Sequence, residues 1–260
     1  MTDRTPLIAG NWKMNLDHLQ SIALIQKVAW TLNEKGHDFK DVEVCVLPPF
    51  TALRSAQTLI DAEKFEVTLG AQDISRFASG AYTGDIAGLM LAKLGVKYVL
   101  VGHSERRQYH SEDDALIQQK VAACFANNLI PIICVGETQE QLEQRGQSAV
   151  PVEQTLAALS GHEKLKEFVI AYEPVWAIGT GQVATAEQAD SVALAIRSAI
   201  AENHPEVAAQ TRILYGGSVK ANNVAGFMQM PEIDGVLVGG ASLDADEFSG
   251  ISRYKKHIVL

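Results

Sequence analysis

Residues 98–105 read Tyr98-Val99-Leu100-Val101-Gly102-His103-Ser104-Glu105. A short apolar run ends in glycine and turns at once into histidine, serine and glutamate. The same pattern recurs along the chain. Leu7–Asn11, Val42–Leu47, Val67–Gln72, Tyr98–Gly102, Ile130–Val135, Phe168–Tyr172, Arg212–Tyr215 and Gly235–Val238 all read as strands. Most are near-continuous apolar runs rather than alternating ones, as in a parallel sheet covered on both faces. Helical patterns lie between them. Ile22, Ile25, Ala29 and Leu32 fall at helical spacing ahead of Gly36, a plausible stop. Ser111 stands three residues before Asp114 and ahead of Leu116, Ile117, Val121 and Cys124. Thr138 with Gln141 and Thr185 with Gln188 have capping-box spacing, and Ala189, Val192, Ala193, Ile196 and Ile200 form one apolar face.

Eight β runs, each followed by a helical stretch, predict an α/β fold of the (β/α)8 barrel type. A doubly wound open sheet is the alternative that also alternates β and α. No Pro/Ser-rich linker or charge run divides the chain, so residues 1–260 are expected to form a single domain. With 260 residues, 47% hydrophobic and 20% charged, the chain has the composition of a globular protein and not of a disordered or fibrous one. Its net charge of −9 repels polyanions, which argues against nucleic acid or an anionic membrane surface as partner. An anionic ligand would need a local positive site. Cys45, Cys124 and Cys134 are too few and too scattered for a disulfide framework or a zinc site, and read as buried free thiols of a reducing compartment. The polar N-terminus shows no secretory signal and no run is long enough to span a bilayer, so a cytoplasmic location is expected.

The residues that carry chemistry cluster at the C-terminal ends of strands: Gly10-Asn11-Trp12-Lys13, Gly102-His103-Ser104-Glu105, Glu173-Pro174-Val175-Trp176, Gly216-Gly217-Ser218 and Gly239-Gly240. A parallel barrel brings all these ends to one face, where ligands bind. Taken singly, each has an ordinary reading: Glu173 as a solvated loop carboxylate, His103 as a structural histidine, Lys13 as a surface lysine, the glycines as tight turns. Taken together they suggest a general base (Glu173), a hydrogen-bond donor whose charged form a helix starting near Ser104 would disfavour (His103), and a cation for an anionic substrate (Lys13). The glycine pairs after strands seven and eight stand where barrels of this class hold phosphate on backbone N–H groups. The segment Pro174–Gly181, apolar in the middle with hinge-capable ends, suits a lid. Gly179-Thr180-Gly181 lacks the third glycine of a dinucleotide motif, and no His/Glu spacing marks a metal site.

Five blocks, Gly10–Asn15, Val101–Arg107, Ala171–Gly181, Tyr215–Val219 and Leu237–Leu243, in this order and spread over essentially the whole chain, resemble the triosephosphate isomerase family. The resemblance implies interconversion of dihydroxyacetone phosphate and D-glyceraldehyde 3-phosphate, a glycolytic and gluconeogenic step, on a TIM barrel without metal or organic cofactor. It implies the roles well described for this family: Glu173 as the base, His103 as a neutral electrophile, Lys13 and Asn11 steadying negative charge, and Glu105 supporting Lys13. It also implies phosphate held by Gly179, Ser218, Gly239 and Gly240, and a homodimer formed through the loop Gln72–Asp85, packed near Lys13 and Met14 of the other copy. Gln182 is not diagnostic. The tail Ile251–Leu260 reads as a solvated basic end.

Rival readings are a phosphosugar aldolase or epimerase on the same barrel, or a non-catalytic binding module. A Schiff-base aldolase needs a lysine where Glu173 stands, and a metal-dependent epimerase needs more clustered histidines and carboxylates. A binding module needs no base, electrophile, cation and lid together.

Overall fold

A computed structural model describes residues 4–162, 164–177 and 183–258. The expected lid residues Ile178–Gly181, with Gly179 among them, and Gln182 lie outside the described residues. Eight strands, β1 (Leu7–Asn11), β2 (Glu43–Leu47), β3 (Thr68–Ala71), β4 (Tyr98–Val101), β5 (Ile130–Val135), β6 (Val169–Tyr172), β7 (Arg212–Tyr215) and β8 (Gly235–Val238), run parallel in sequence order. β8 returns to β1, with Leu7 opposite Gly235 and Gly10 opposite Val238, and closes the barrel. That closure excludes the open-sheet alternative. Val42, Val67, Gln72, Gly102 and Phe168 fall just outside the strands, though Val42, Val67 and Phe168 are still buried.

Side chains on a strand alternate in direction, and here both faces are apolar. Leu7, Ala9, Cys45, Leu47, Tyr98, Leu100, Cys134, Ala171, Leu214 and Leu237 fill the barrel interior as one cluster. Their neighbours Ile8, Val44, Val46, Val99, Val101, Ile133, Ile170, Ile213 and Val236 pack outward against the helices. The alternation also places the site. Continuing the inward positions past the C-terminal strand ends gives Asn11, Glu173, Gly216 and Gly239; continuing them to the other end gives Glu43 and Arg212. All three cysteines are buried and free.

The helix starts follow local chemistry. Thr138 with Gln141 and Thr185 with Gln188 form the expected capping boxes, and Asp17 with Gln20 forms a third. Gly36 takes the left-handed conformation (φ 62°) just past the helix His18–Glu34. Ser111 departs from its expected place. It lies in left-handed backbone at the end of the helix Ser104–His110, while Asp113 accepts the Leu116 N–H and starts the helix Asp114–Ala126. The tail departs in part: Ile251 and Tyr254 are buried and dock its start, while Lys255, Lys256 and His257 are exposed as expected, with Lys255 bonded to Asp41.

At the N-terminal end of the barrel the Glu43 carboxylate meets Lys97 at 2.6 Å, Tyr98 Oη at 2.7 Å and Arg212 at 2.9 Å. Burial alone would raise the Glu43 carboxyl; Lys97, Tyr98 and Arg212 overcome it and hold the pKa below the ordinary value. A carboxyl depressed in the folded state adds stability above its unfolded pKa, near 4.5, and loses it as pH falls through the folded value. Glu43→Gln is therefore expected to cost about 3–5 kcal/mol at neutral pH, and the deficit should shrink as pH drops below about 4. Urea unfolding of both proteins across this range checks it; a deficit independent of pH would contradict it.

Candidate active site

The C-terminal ends of β1, β4, β6, β7 and β8 deliver the pieces of one pocket. β6 ends at Tyr172, and Glu173, the next inward position, is buried. Its carboxylate receives the Ser104 N–H at Oε2 (3.0 Å) and lies 2.9 Å from His103 Nε2 at Oε1. The glycine at 216 makes room for it: a Cβ there would sit 2.9 Å from the Glu173 Cγ. β4 ends at Val101, and Gly102 turns the chain at φ 69° so that His103 caps the helix Ser104–His110. The Glu105 N–H donates to His103 Nδ1 at 3.2 Å.

Burial favours the neutral imidazole, while the Glu173 carboxylate draws its pKa upward. The hydrogen bond at Nδ1 decides between them. A protonated Nδ1 has no lone pair for the Glu105 N–H, so this geometry requires the neutral ring with its proton on Nε2. For Glu173, burial presses the carboxyl up, but His103, the Ser104 N–H and Lys13 together hold it below the ordinary value.

β1 ends at Asn11, whose Oδ1 accepts the Lys13 N–H at 3.0 Å. Lys13 is a non-glycine residue in left-handed backbone, φ 54°, a conformation that costs about 1–2 kcal/mol and needs outside support. Asn11 gives that support on one side. Gln72 gives it on the other, donating to Lys13 O at 2.9 Å and Leu47 O at 2.8 Å. The Lys13 ammonium bonds Glu105 Oε1 at 2.6 Å.

Asn11, Lys13, His103 and Glu173 line one cavity of about 290 Å³ together with Gly216, Gly217, Ser218, Lys220, Gly239 and Gly240. Of the expected set, Glu105 stands behind Lys13 rather than on this wall, and Gly179 lies outside the described residues. A larger cavity, about 730 Å³, opens at the opposite end around Glu43, Lys97 and Arg212. Those charges are engaged with one another, so it offers no built site, and the chemistry belongs to the smaller pocket.

The triosephosphate isomerase family model matches residues 6–255. The chain belongs to the triosephosphate isomerase family. It is 61% identical over 257 residues to the triosephosphate isomerase of Leifsonia xyli, covering 98% of this chain and 99% of that one. It is 55% identical over 262 residues to that of Streptomyces avermitilis (98% and 99%), and 53% identical over 252 residues to that of Mycobacterium marinum (96% and 96%).

Sequence reasoning overlooked two side chains in this triosephosphate isomerase family member. Gln72 and Glu137 follow β3 and β5, and the rule that selected Asn11 and Glu173, a polar residue at a strand end, points to both. Glu137 is fully buried and accepts from Tyr172 Oη and Trp176 Nε1, each at 2.8 Å. It thereby fastens the three-residue turn Val175–Ala177, the described first part of the expected lid Pro174–Gly181. Burial raises the Glu137 carboxyl against these two donors.

Gln72 gives a sharp test. One amide nitrogen serves two carbonyls, and a carboxylate in its place would set lone pairs against lone pairs. Gln72→Glu is expected to lose about 1–3 kcal/mol of stability and roughly tenfold or more in kcat/KM as Lys13 shifts. Urea unfolding and steady-state kinetics check it. Unchanged values for both would show that Lys13 needs no such support.

Proposed function

We propose that this isomerase interconverts dihydroxyacetone phosphate and D-glyceraldehyde 3-phosphate through an enediolate, with the residues of the barrel mouth in these roles. Glu173 takes the proton from the carbon beside the carbonyl and returns it to the neighbouring carbon. His103 donates from Nε2 to the carbonyl oxygen and moves protons between the two enediolate oxygens. Lys13 and Asn11 steady the developing negative charge, and Glu105 orients the Lys13 ammonium. The phosphate sits on backbone N–H groups of Ser218, Gly239 and Gly240, with Gly179 contributing from the lid. The observation that carries this reading is the 2.9 Å approach of a buried carboxylate to a histidine nitrogen, in a pocket that also holds a lysine.

His103 and the Ser104 N–H stabilise Glu173 as an anion and so weaken it as a base. A substrate carbonyl would take His103 Nε2–H for itself, and lid closure would exclude water. Both remove stabilisation from the carboxylate, so burial then dominates and raises its basicity. The C–H acid is weak, and general base catalysis supplies only about 10²–10⁴-fold; fixed donors at the enediolate oxygen supply the rest.

The same reading makes the enzyme a cytoplasmic homodimer. The buried free cysteines fit a reducing compartment, and among the described residues no helix is long and apolar enough to cross a membrane. In the loop Gln72–Asp85, Phe77 and Tyr82 stack at 3.7 Å, with Tyr82 42% exposed and Met14 95% exposed nearby in sequence to Lys13. Apolar groups offered to solvent in this way suit an interface. Activity is expected to fall on dilution as the dimer dissociates; a monomer with full activity would contradict this assembly.

Turnover of D-glyceraldehyde 3-phosphate by the purified protein in excess chelator tests the function. Full activity is expected. Activity that chelator abolishes would favour the metal-dependent epimerase reading instead.

A further inference from the structure

Charge in the pocket is poorly matched to a phosphate dianion. The Lys13 ammonium is already paired with Glu105 at 2.6 Å, and the Glu173 carboxylate is held by the neutral donors His103 and the Ser104 N–H, so these groups together stay net negative inside a chain of net charge −9. An approaching dianion would meet repulsion both from the protein as a whole and from the pocket floor. One further cation lies on the pocket lining among the described residues: Lys220. It is exposed, and no salt bridge to it occurs among the described residues.

Its backbone is fixed even though its side chain is not. The Lys220 N–H donates to Asn223 Oδ1 at 2.8 Å, and Asn223 Nδ2 donates to Ser218 O at 3.3 Å. The next residue, Ala221, gives its N–H to Glu247 at 2.7 Å, which anchors the turn from the other side. This turn directly follows Gly216-Gly217-Ser218, so Lys220 is held at the rim of the phosphate end of the pocket. A long, solvated, unpaired ammonium at a pocket rim suits capture from solution better than rigid coordination.

We infer that Lys220 is an electrostatic capture residue, which raises the rate of encounter with the anionic substrate while the chemical step is left to Glu173 and His103. The inference rests on triose phosphate being the substrate. A unit charge acting on a dianion at about 10 Å through solvent changes association by roughly fourfold at low ionic strength. Added salt erases the effect as the screening length falls below that distance.

The test is steady-state kinetics with D-glyceraldehyde 3-phosphate at rising sodium chloride for wild type, Lys220→Gln and Lys220→Glu. Lys35→Gln serves as a control: Lys35 is exposed at the end of the helix His18–Glu34 that leads back to the N-terminal end of the barrel. The control removes the same formal charge far from the pocket. At low salt kcat/KM is expected to fall roughly fourfold in Lys220→Gln and on the order of tenfold in Lys220→Glu, with a much smaller change in kcat. The differences should close at high salt, and Lys35→Gln should track wild type. Equal kcat/KM and equal salt dependence for all four proteins would overturn the capture role, as would a Lys220 effect that high salt does not reduce. A wild-type protein that fails to turn over this substrate would overturn the functional reading itself.

Discussion

Glu173→Gln is expected to lower kcat by about 10²–10⁴-fold and leave phosphate binding nearly intact. The substitution keeps the shape of the side chain and one oxygen for the Ser104 N–H, which now holds Oε2 at 3.0 Å. It removes the lone pair that must accept a proton from carbon. The phosphate end of the pocket, Gly216–Ser218 and Gly239-Gly240, is built on other strands and should not notice. Steady-state kinetics, with inorganic phosphate as a competitive probe, separates the two effects. Turnover near wild type would mean that the proton leaves by another route and that Glu173 is not the base.

Lys13→Met is expected to lower kcat/KM by about 10²–10³-fold, the scale for losing one charge-stabilising donor, and to weaken binding of inorganic phosphate. Methionine keeps most of the aliphatic stem, so the change is mainly the loss of the ammonium. Stability should barely move. The Lys13–Glu105 pair is partly solvated, with side chains 31% and 41% exposed, and such pairs contribute at most about 1 kcal/mol. The expected outcome is thus a large kinetic loss with a melting temperature within a few degrees of wild type. Unchanged kinetics would reduce Lys13 to surface charge.

Much of this arrangement was legible in the sequence because a parallel barrel converts strand order into spatial order. The apolar runs marked the strands, and the alternation that buries Leu7 and Ala9 necessarily carries Asn11 to the barrel mouth. Val169 and Ala171 do the same for Glu173. The capping pairs at Thr138 and Thr185 were legible because both partners lie within one turn. Ser111 was not, because Asp113 competes for the same helix start and a spacing rule does not choose between neighbours. The tail was legible only in part: Lys255, Lys256 and His257 are exposed as their charge suggests, while Ile251 and Tyr254, apolar positions ahead of them, are buried and dock its start. The support of Lys13 by Gln72 was hidden for a deeper reason. It joins two strand ends 59 positions apart through carbonyls, which leave no trace in side-chain patterns. The neutral state of His103 was expected from the helix start at Ser104 and from the family resemblance, but its tautomer was hidden, since it depends on a single backbone N–H meeting Nδ1.

The most direct measurement follows hydrogen at carbon. The purified protein is incubated with dihydroxyacetone phosphate in deuterium oxide and the substrate and product are read by proton NMR. Removal by a carboxylate and return through an enediolate requires solvent deuterium to appear at the reacting carbons in wild type and to vanish with Glu173→Gln. Conversion that proceeds with no deuterium entering from solvent would point to direct hydride transfer and contradict a carboxylate acting as base.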